Sequence, residues 1–271
     1  MAQPFKFGIM VDVVPIKAMS PGWELLEVPA GIHCDPHLSD FEWEKIKKMY
    51  KDDGRPALSS GFMLASESAA GPKYDREYTL FQLERQFKRM NELGIKYAGC
   101  WGGHFRIPPG FDRTKAVDQA LSTINIMADF AEKYDMLIAL ESQAESDTVF
   151  PTYISSVEIA KESGRKCVKV MVDLNYFKAL DQPLEDILKY PGYCLDVHIA
   201  GSSGFQPNIC DDAWKEYLLR LFRILKEVDY DKGVMAACPW KITNDAKEID
   251  YKYETDKTLA FLQELRDTVY K

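Results

Sequence analysis

The segment MLIALES, residues 136–142, is a short apolar run that ends in a carboxylate, Glu141. Apolar residues on both faces of such a run are typical of a parallel strand that is covered by helices. Runs of the same kind recur along the chain and give eight candidate strands. The candidate strands span residues 5–12, 23–29, 56–64, 96–103, 136–142, 167–174, 194–201 and 234–239.

Amphipathic segments fill most of the gaps between these runs. Residues 78–94 carry apolar side chains at helical spacing and stop at Gly94, while another segment opens on Ser39 and closes on Gly54. Strands alternating with helices over about 250 residues predict a single (β/α)8 TIM barrel, an α/β fold, as one domain over residues 1–271. The alternative is a doubly wound open sheet, but the GxGxxG phosphate loop that would favour it is absent.

Composition limits the function classes. The chain has a net charge of −8, and this excess of Asp and Glu disfavours nucleic-acid binding, which needs Lys and Arg to neutralise phosphates. No apolar stretch approaches the roughly 18 residues of a membrane span, and the first residues lack the pattern of a signal peptide. The six cysteines are scattered without a CxxC pair, which predicts reduced thiols and a cytoplasmic location.

Polar residues stand at the ends of three successive candidate strands, where barrel enzymes keep their chemistry. These residues are Glu141, Asp173 and His198, and the last strand is predicted to end on Cys238. Each residue alone could be a helix cap or a core residue. Buried carboxylates are costly without a counter-charge, so their convergence predicts a divalent metal. Mixed oxygen and nitrogen ligands suit Mn, Co, Fe or Zn better than Mg.

The order of these motifs resembles the xylose isomerase-like TIM barrel superfamily, which includes sugar isomerases and epimerases, inosose dehydratase and endonuclease IV. LIALES resembles the family's strand-five Glu motif, VMVDLNYF its strand-six Asp motif and DVHIAG its strand-seven His motif. The resemblance implies that Glu141, Asp173 and His198 are metal ligands. It also implies that Glu141 doubles as an acid/base group beside a substrate polarised by the metal.

The sequence departs from the family pattern at three places. Cys238 stands where the family has a strand-eight Glu, Tyr176 stands where it has a His, and the Arg that often follows His198 is missing. A thiolate binds Zn or Fe well, so Cys238 is a candidate fourth ligand, with neutral packing as the alternative. Tyr176 is a candidate proton donor, and His104 is a candidate catalytic residue or a further ligand.

Further candidates for substrate binding follow from their positions just past the strands. Trp101 and Trp240 offer flat faces to the apolar side of a sugar ring, although both positions also suit packing at the barrel rim. The polar side chains of Gln143, Asn175 and Lys241 are candidates for binding substrate hydroxyl groups.

These residues and the resemblance predict a metal-dependent isomerase or epimerase of a sugar or keto-sugar. The expected chemistry is proton abstraction beside a carbonyl with a metal-stabilised enediolate. A lyase or dehydratase on the same site is the alternative, since elimination needs one strong base and the strand-eight Glu is missing. A non-catalytic sugar-binding barrel is a remote alternative. The expected partner is a small carbohydrate, and because relatives are often dimers or tetramers, a homo-oligomer stays open.

Overall fold

Eight parallel strands close into a barrel in a computed structural model of the chain, which describes residues 4–61, 63, 69–144, 147–244 and 247–271. The strands are β1 Lys6–Met10, β2 Leu25–Pro29, β3 Ala57–Gly61, β4 Tyr97–Trp101, β5 Leu137–Glu141, β6 Val168–Asp173, β7 Cys194–Ile199 and β8 Gly233–Ala236. Each strand pairs with its neighbours in chain order, and β8 closes the barrel by pairing with β1. The predicted (β/α)8 barrel is therefore confirmed.

Helices surround this barrel. Within the described residues they are α1 Ala30–His33, α2 Asp40–Asp53, α3 Arg76–Leu93, α4 Arg113–Lys133, α5 Tyr153–Glu162, α6 Leu174–Ala179, α7 Asp186–Lys189, α8 Asp212–Glu227 and α9 Tyr251–Tyr270. The ends predicted for α2 are confirmed, because the Ser39 side chain accepts a hydrogen bond from the Glu42 amide and Gly54 follows with a left-handed φ of 81°. Among the described helices, none has the length and apolar character needed to cross a bilayer. The assignment of residues 1–271 to one domain stays a prediction.

The barrel interior has an apolar floor beneath a polar layer. Ala139, Met171 and Leu195 form a small buried cluster, separate from the main core between strands and helices. Glu141 and Asp173 follow Ala139 and Met171 by two residues, so they point to the same side of their strands, one layer nearer the carboxyl ends. The polar groups are thus held above a packed floor rather than in an open pore.

The structure corrects two boundaries of the sequence prediction. β8 ends at Ala236, so Cys238 lies two residues beyond the strand rather than at its end. Pro239 follows Cys238 and has no N–H to donate, so the chain could not continue as a fully paired strand beyond this point. A short helix, α6, also begins directly after β6, where none was predicted. Asp173 caps it by accepting hydrogen bonds from the amides of Asn175 and Tyr176, at 2.8 and 3.1 Å.

Gly99 on β4 marks a close approach between strands. A Cβ at this position would collide with the carbonyl oxygen of Ser60 on β3 and come within 3.0 Å of the Met171 side chain. We expect Gly99→Ala to lower the free energy of unfolding by about 1–3 kcal/mol, measured as a lower urea midpoint. Gly192→Ala is the matched control, because nothing lies within 4 Å of its added Cβ. Equal midpoints for the two variants would contradict this account of β3 and β4.

Candidate metal centre

Glu141, Asp173 and His198 meet at the carboxyl ends of β5, β6 and β7. Parallel pairing places Asp173 beside His198, and β5 lies on the other side of β6. The His198 Nδ1 atom lies 3.4 Å from Glu141 Oε1 and 3.9 Å from Asp173 Oδ2. One ligand atom from each of the three residues lies within 4.8 Å of the others. The three side chains predicted as metal ligands are therefore brought together.

Burial and mutual repulsion dominate the electrostatics of this group. Burial, followed by the charge of Glu141, raises the pKa of Asp173 to about 7, although His198 and two backbone amides oppose the shift. Burial alone would lower the pKa of His198, but the nearby carboxylates of Glu27 and Glu141 outweigh it and raise that pKa well above its usual value. Two buried carboxylates and one imidazole therefore compete for protons in the absence of another cation.

The donor set fits a divalent metal. The three residues line a cavity of about 140 Å³ whose described lining contains neither Lys nor Arg to balance the carboxylates. The lining residues are Met10, Glu141, Asp173, Asn175, Tyr176, His198, Gly204, Ala237, Cys238 and Pro239. Two carboxylates and an imidazole are ligands that Zn, Mn, Fe and Co share, and three protein ligands are typical of catalytic sites.

A larger groove of about 760 Å³ lies elsewhere, beside α2 and the start of β3. Several of its charged groups pair with one another, as in the contacts of Lys47 with Glu44 at 2.6 Å and of Lys48 with Asp52 at 2.7 Å. No group of three close metal-ligating side chains lies in this groove among the described residues. The smaller cavity at the barrel mouth is therefore the candidate site.

Cys238 lies in the wall of the same cavity and is buried. Burial and the charge of Asp173 raise the pKa of its thiol, which keeps the thiol protonated at neutral pH. Its sulfur does not belong to any group of three ligand atoms within 4.8 Å of one another in the described part of the chain. The role of Cys238 as a metal ligand stays a prediction.

A hydrogen-bonded network of polar side chains borders the cavity beside Asp173. The Trp101 Nε1–H group donates to Gln143 Oε1 at 2.6 Å and to the Tyr176 hydroxyl at 3.2 Å. Tyr176 and Asn175 line the cavity, so these sequence candidates lie next to the three predicted ligands. Burial and the carboxylates of Glu141 and Asp173 raise the pKa of Tyr176, which keeps its phenol protonated.

The remaining sequence candidates lie outside the described lining of the cavity. His104 is buried edge-on against Trp101 with the ring centroids 5.4 Å apart, and neither ring nitrogen has a hydrogen-bond partner among the described residues. Burial lowers its pKa to about 4. Trp240 packs edge-on against Trp23, and the Lys241 ammonium lies 4.4 Å from the centre of the Phe205 ring. Their proposed roles stay predictions.

Two buried carboxyl groups next to His198 were given no role by the sequence analysis. The His198 Nε2 atom lies 2.9 Å from Oε1 of Glu27, which comes from β2 on another part of the barrel wall. Asp196 precedes His198 by two residues on β7 and joins Glu27 and His198 in a second close group. Burial and Glu27 raise the pKa of Asp196 to about 7. In the sequence, each of these two acidic residues lies within an apolar candidate strand, and that position could have marked both as buried carboxyl groups.

Comparisons with known proteins agree with this architecture. The chain is similar in structure to D-psicose 3-epimerase from Clostridium cellulolyticum H10, solved with D-tagatose, at a TM-score of 0.78 and 19% identity over 97% of this chain and 99% of that chain. It is also similar to 3-keto-D-glucoside 4-epimerase from E. coli, at a TM-score of 0.75 and 16% identity over 96% of this chain and 99% of that chain.

A third similar structure is an AP endonuclease, family 2, from Brucella melitensis, with a TM-score of 0.69 and 15% identity over 96% of this chain and 98% of that chain. No curated protein matches the chain significantly in sequence. The model of the xylose isomerase-like TIM barrel family matches residues 18–265. The chain therefore belongs to the xylose isomerase-like TIM barrel family.

Proposed function

We propose that this protein is a divalent-metal-dependent isomerase or epimerase of a sugar or keto-sugar. The observation that carries the proposal is the convergence of Glu141, Asp173 and His198 in one buried cavity at the barrel mouth. The similar D-psicose 3-epimerase and 3-keto-D-glucoside 4-epimerase support a carbohydrate as the substrate class. The donor set suits Mn, Co, Fe or Zn, and Mg less well.

The side chains that line the cavity would have different roles in this reaction. Glu141, Asp173 and His198 would hold the metal, which when bound polarises a substrate oxygen and acidifies the neighbouring C–H bond. Glu141 would also accept the proton from carbon, as its carboxylate opens onto the cavity. Tyr176 keeps its proton and would donate a hydrogen bond or a proton to a substrate oxygen. Asn175 lines the same cavity and offers an amide to a hydroxyl group.

Cys238 favours a second candidate, elimination by a lyase or dehydratase. The resemblance places a Glu at this position, and that carboxylate would act as a second base. The thiol of Cys238 has a raised pKa and stays neutral, so it is a poor base at neutral pH. Elimination needs a strong base on one side of the substrate only, which Glu141 alone supplies.

Metal content gives the first test. We expect the purified protein to bind one divalent metal per chain at this site, and a chelator to lower its melting temperature. Metal at about 1,000 times its Kd adds roughly 4 kcal/mol to the free energy of unfolding, because only the folded state assembles the three ligands. Glu141→Gln should bind metal weakly and lose most of this response, whereas Glu158→Gln, on the exposed face of α5, should retain it. A wild-type protein without metal or a chelator response would favour a non-catalytic sugar-binding barrel.

Hydrogen exchange at carbon gives the second test. We expect keto-sugars incubated with the metal-loaded protein in D2O to incorporate deuterium, and Glu141→Gln to slow this exchange at least about 100- to 10,000-fold, because this variant lacks the general base and also binds metal weakly. Mass spectrometry of the sugars measures both. Exchange with a saturated isomer as product supports isomerisation or epimerisation, whereas an unsaturated product would establish elimination. A panel without exchange in any sugar would contradict both reactions.

Substitution of Cys238 tests whether its side chain binds the metal or only packs in the cavity wall. The three other side chains already supply the ligand number of a catalytic site, so we expect Cys238→Ser to retain its metal content within twofold. We expect Cys238→Glu to bind metal more tightly, since its carboxylate would add a charged donor. The Co(II) spectrum of the wild type is the control. A thiolate-to-metal absorption band that disappears in Cys238→Ser, together with loss of metal, would show that Cys238 is a ligand.

A further inference from the structure

His198 connects two groups of carboxylates through its two ring nitrogens. Nδ1 faces Glu141 and Asp173 at 3.4 and 3.9 Å, whereas Nε2 lies 2.9 Å from Glu27 Oε1. A neutral imidazole carries one proton and one lone pair, so only one nitrogen can bind a metal. The hydrogen bond made by the other nitrogen decides which one is free.

We propose that Glu27 is a positioning residue that holds the Nε2–H tautomer of His198 and so directs the Nδ1 lone pair to the metal. This inference rests on the proposed metal centre. An ionised carboxylate only accepts hydrogen bonds, so a Glu27 carboxylate at 2.9 Å requires a proton on Nε2. The ring is then held in one orientation, and a metal that binds Nδ1 would displace the proton on that nitrogen while Glu27 retains the one on Nε2.

The surroundings of Glu27 suit this role. Its side chain is fully buried in the barrel on β2. A Cβ at Gly61 of β3 would come within 3.0 Å of Glu27 Oε1, so a glycine at this position makes space for that oxygen. Glu27 does not line the mouth cavity with His198. It therefore contacts the predicted ligand from outside the described lining of the cavity.

A second cation beneath His198 is the competing interpretation. Glu27 Oε2 is buried and has no hydrogen-bond partner among the described residues, and the buried side chains of Asp196 and Ser59 lie beside Glu27. However, the distance of 2.9 Å between Nε2 and Oε1 is that of a direct hydrogen bond, which leaves no space for an ion between these two atoms. The geometry therefore favours a proton between Nε2 and Oε1, and the number of metal ions bound per chain distinguishes the two interpretations.

The first experiment uses the wild-type protein loaded with Zn, which is diamagnetic. Long-range 1H–15N correlation spectra report the protonated nitrogen of each of the four histidines, and His198→Asn identifies the signal of His198. We expect His198 to carry its proton on Nε2 and to bind Zn through Nδ1. Coordination through Nε2, or a second Zn per chain by elemental analysis, would overturn the proposal.

The second experiment measures metal affinity by competition with a chromophoric chelator in the absence of substrate. We expect Glu27→Gln to weaken affinity about 10- to 100-fold, because an amide can donate as well as accept and no longer selects one tautomer. Asp196→Asn is the matched control. It removes an equally buried carboxylate from the same group, and its affinity should stay within about threefold of the wild type because Asp196 forms no hydrogen bond to the ring.

The outcomes separate this inference from the proposed function. A wild-type protein without metal overturns both. Metal binding in the wild type with an unchanged affinity in Glu27→Gln overturns the role of Glu27 alone. Equal losses in Glu27→Gln and Asp196→Asn would also overturn it, since they would show an effect of buried charge rather than of the hydrogen bond. Circular dichroism of each variant checks that the substitution has not unfolded the protein. The tautomer of His198 in the wild type tests the proposal without any substitution at Glu27.

Discussion

Buried negative charge is the constraint on which the interior of this barrel depends. The carboxyl groups of Glu27, Glu141, Asp173 and Asp196 surround the imidazole of His198, and all five side chains are buried. An ionised group in a protein interior costs several kcal/mol unless it is paired, and one imidazolium cannot balance four carboxylates. Protons or a cation must supply the difference. The pKa values of Asp173 and Asp196, both raised to about 7 by burial and a neighbouring carboxylate, express that requirement.

The barrel separates this charge into two layers with different access. Glu141, Asp173 and His198 line the mouth cavity, whereas Glu27 and Asp196 lie deeper and outside its described lining. His198 is the contact between the layers, because each of its nitrogens faces one of them. The upper pair of carboxylates faces the mouth cavity, and of the lower pair Glu27 is the one that forms a hydrogen bond to the ring. The buried apolar cluster of Ala139, Met171 and Leu195 packs the barrel interior at the level of Asp196.

The sequence predicted the features that depend on local pattern and missed those that depend on long-range register. The apolar runs placed each strand, and the strand-end positions of Glu141 and Asp173 followed from them. Glu27 and His198 are 171 residues apart, and no local pattern says which strands face each other across a barrel. A register shift between β6 and β7 also sets where Asp196 and His198 lie. Likewise, a position just past a strand does not give the direction of a side chain, and Trp240 packs on Trp23 outside the cavity lining.

The protonation states of the cavity limit the reactions that it can support. Burial and nearby carboxylates raise the pKa values of Tyr176 and Cys238, so both side chains stay protonated at neutral pH, and Asp173 accepts hydrogen bonds from two backbone amides as a helix cap. Glu141 also lines the cavity and, unlike Asp173, caps no helix in the described part of the chain; it is the base in the proposed reaction. One carboxylate can carry a proton between adjacent carbons on one face of a substrate, or begin an elimination. Inversion at a single carbon also needs an acid on the opposite face, and Tyr176 and Cys238 are the neutral groups that the described cavity offers for it.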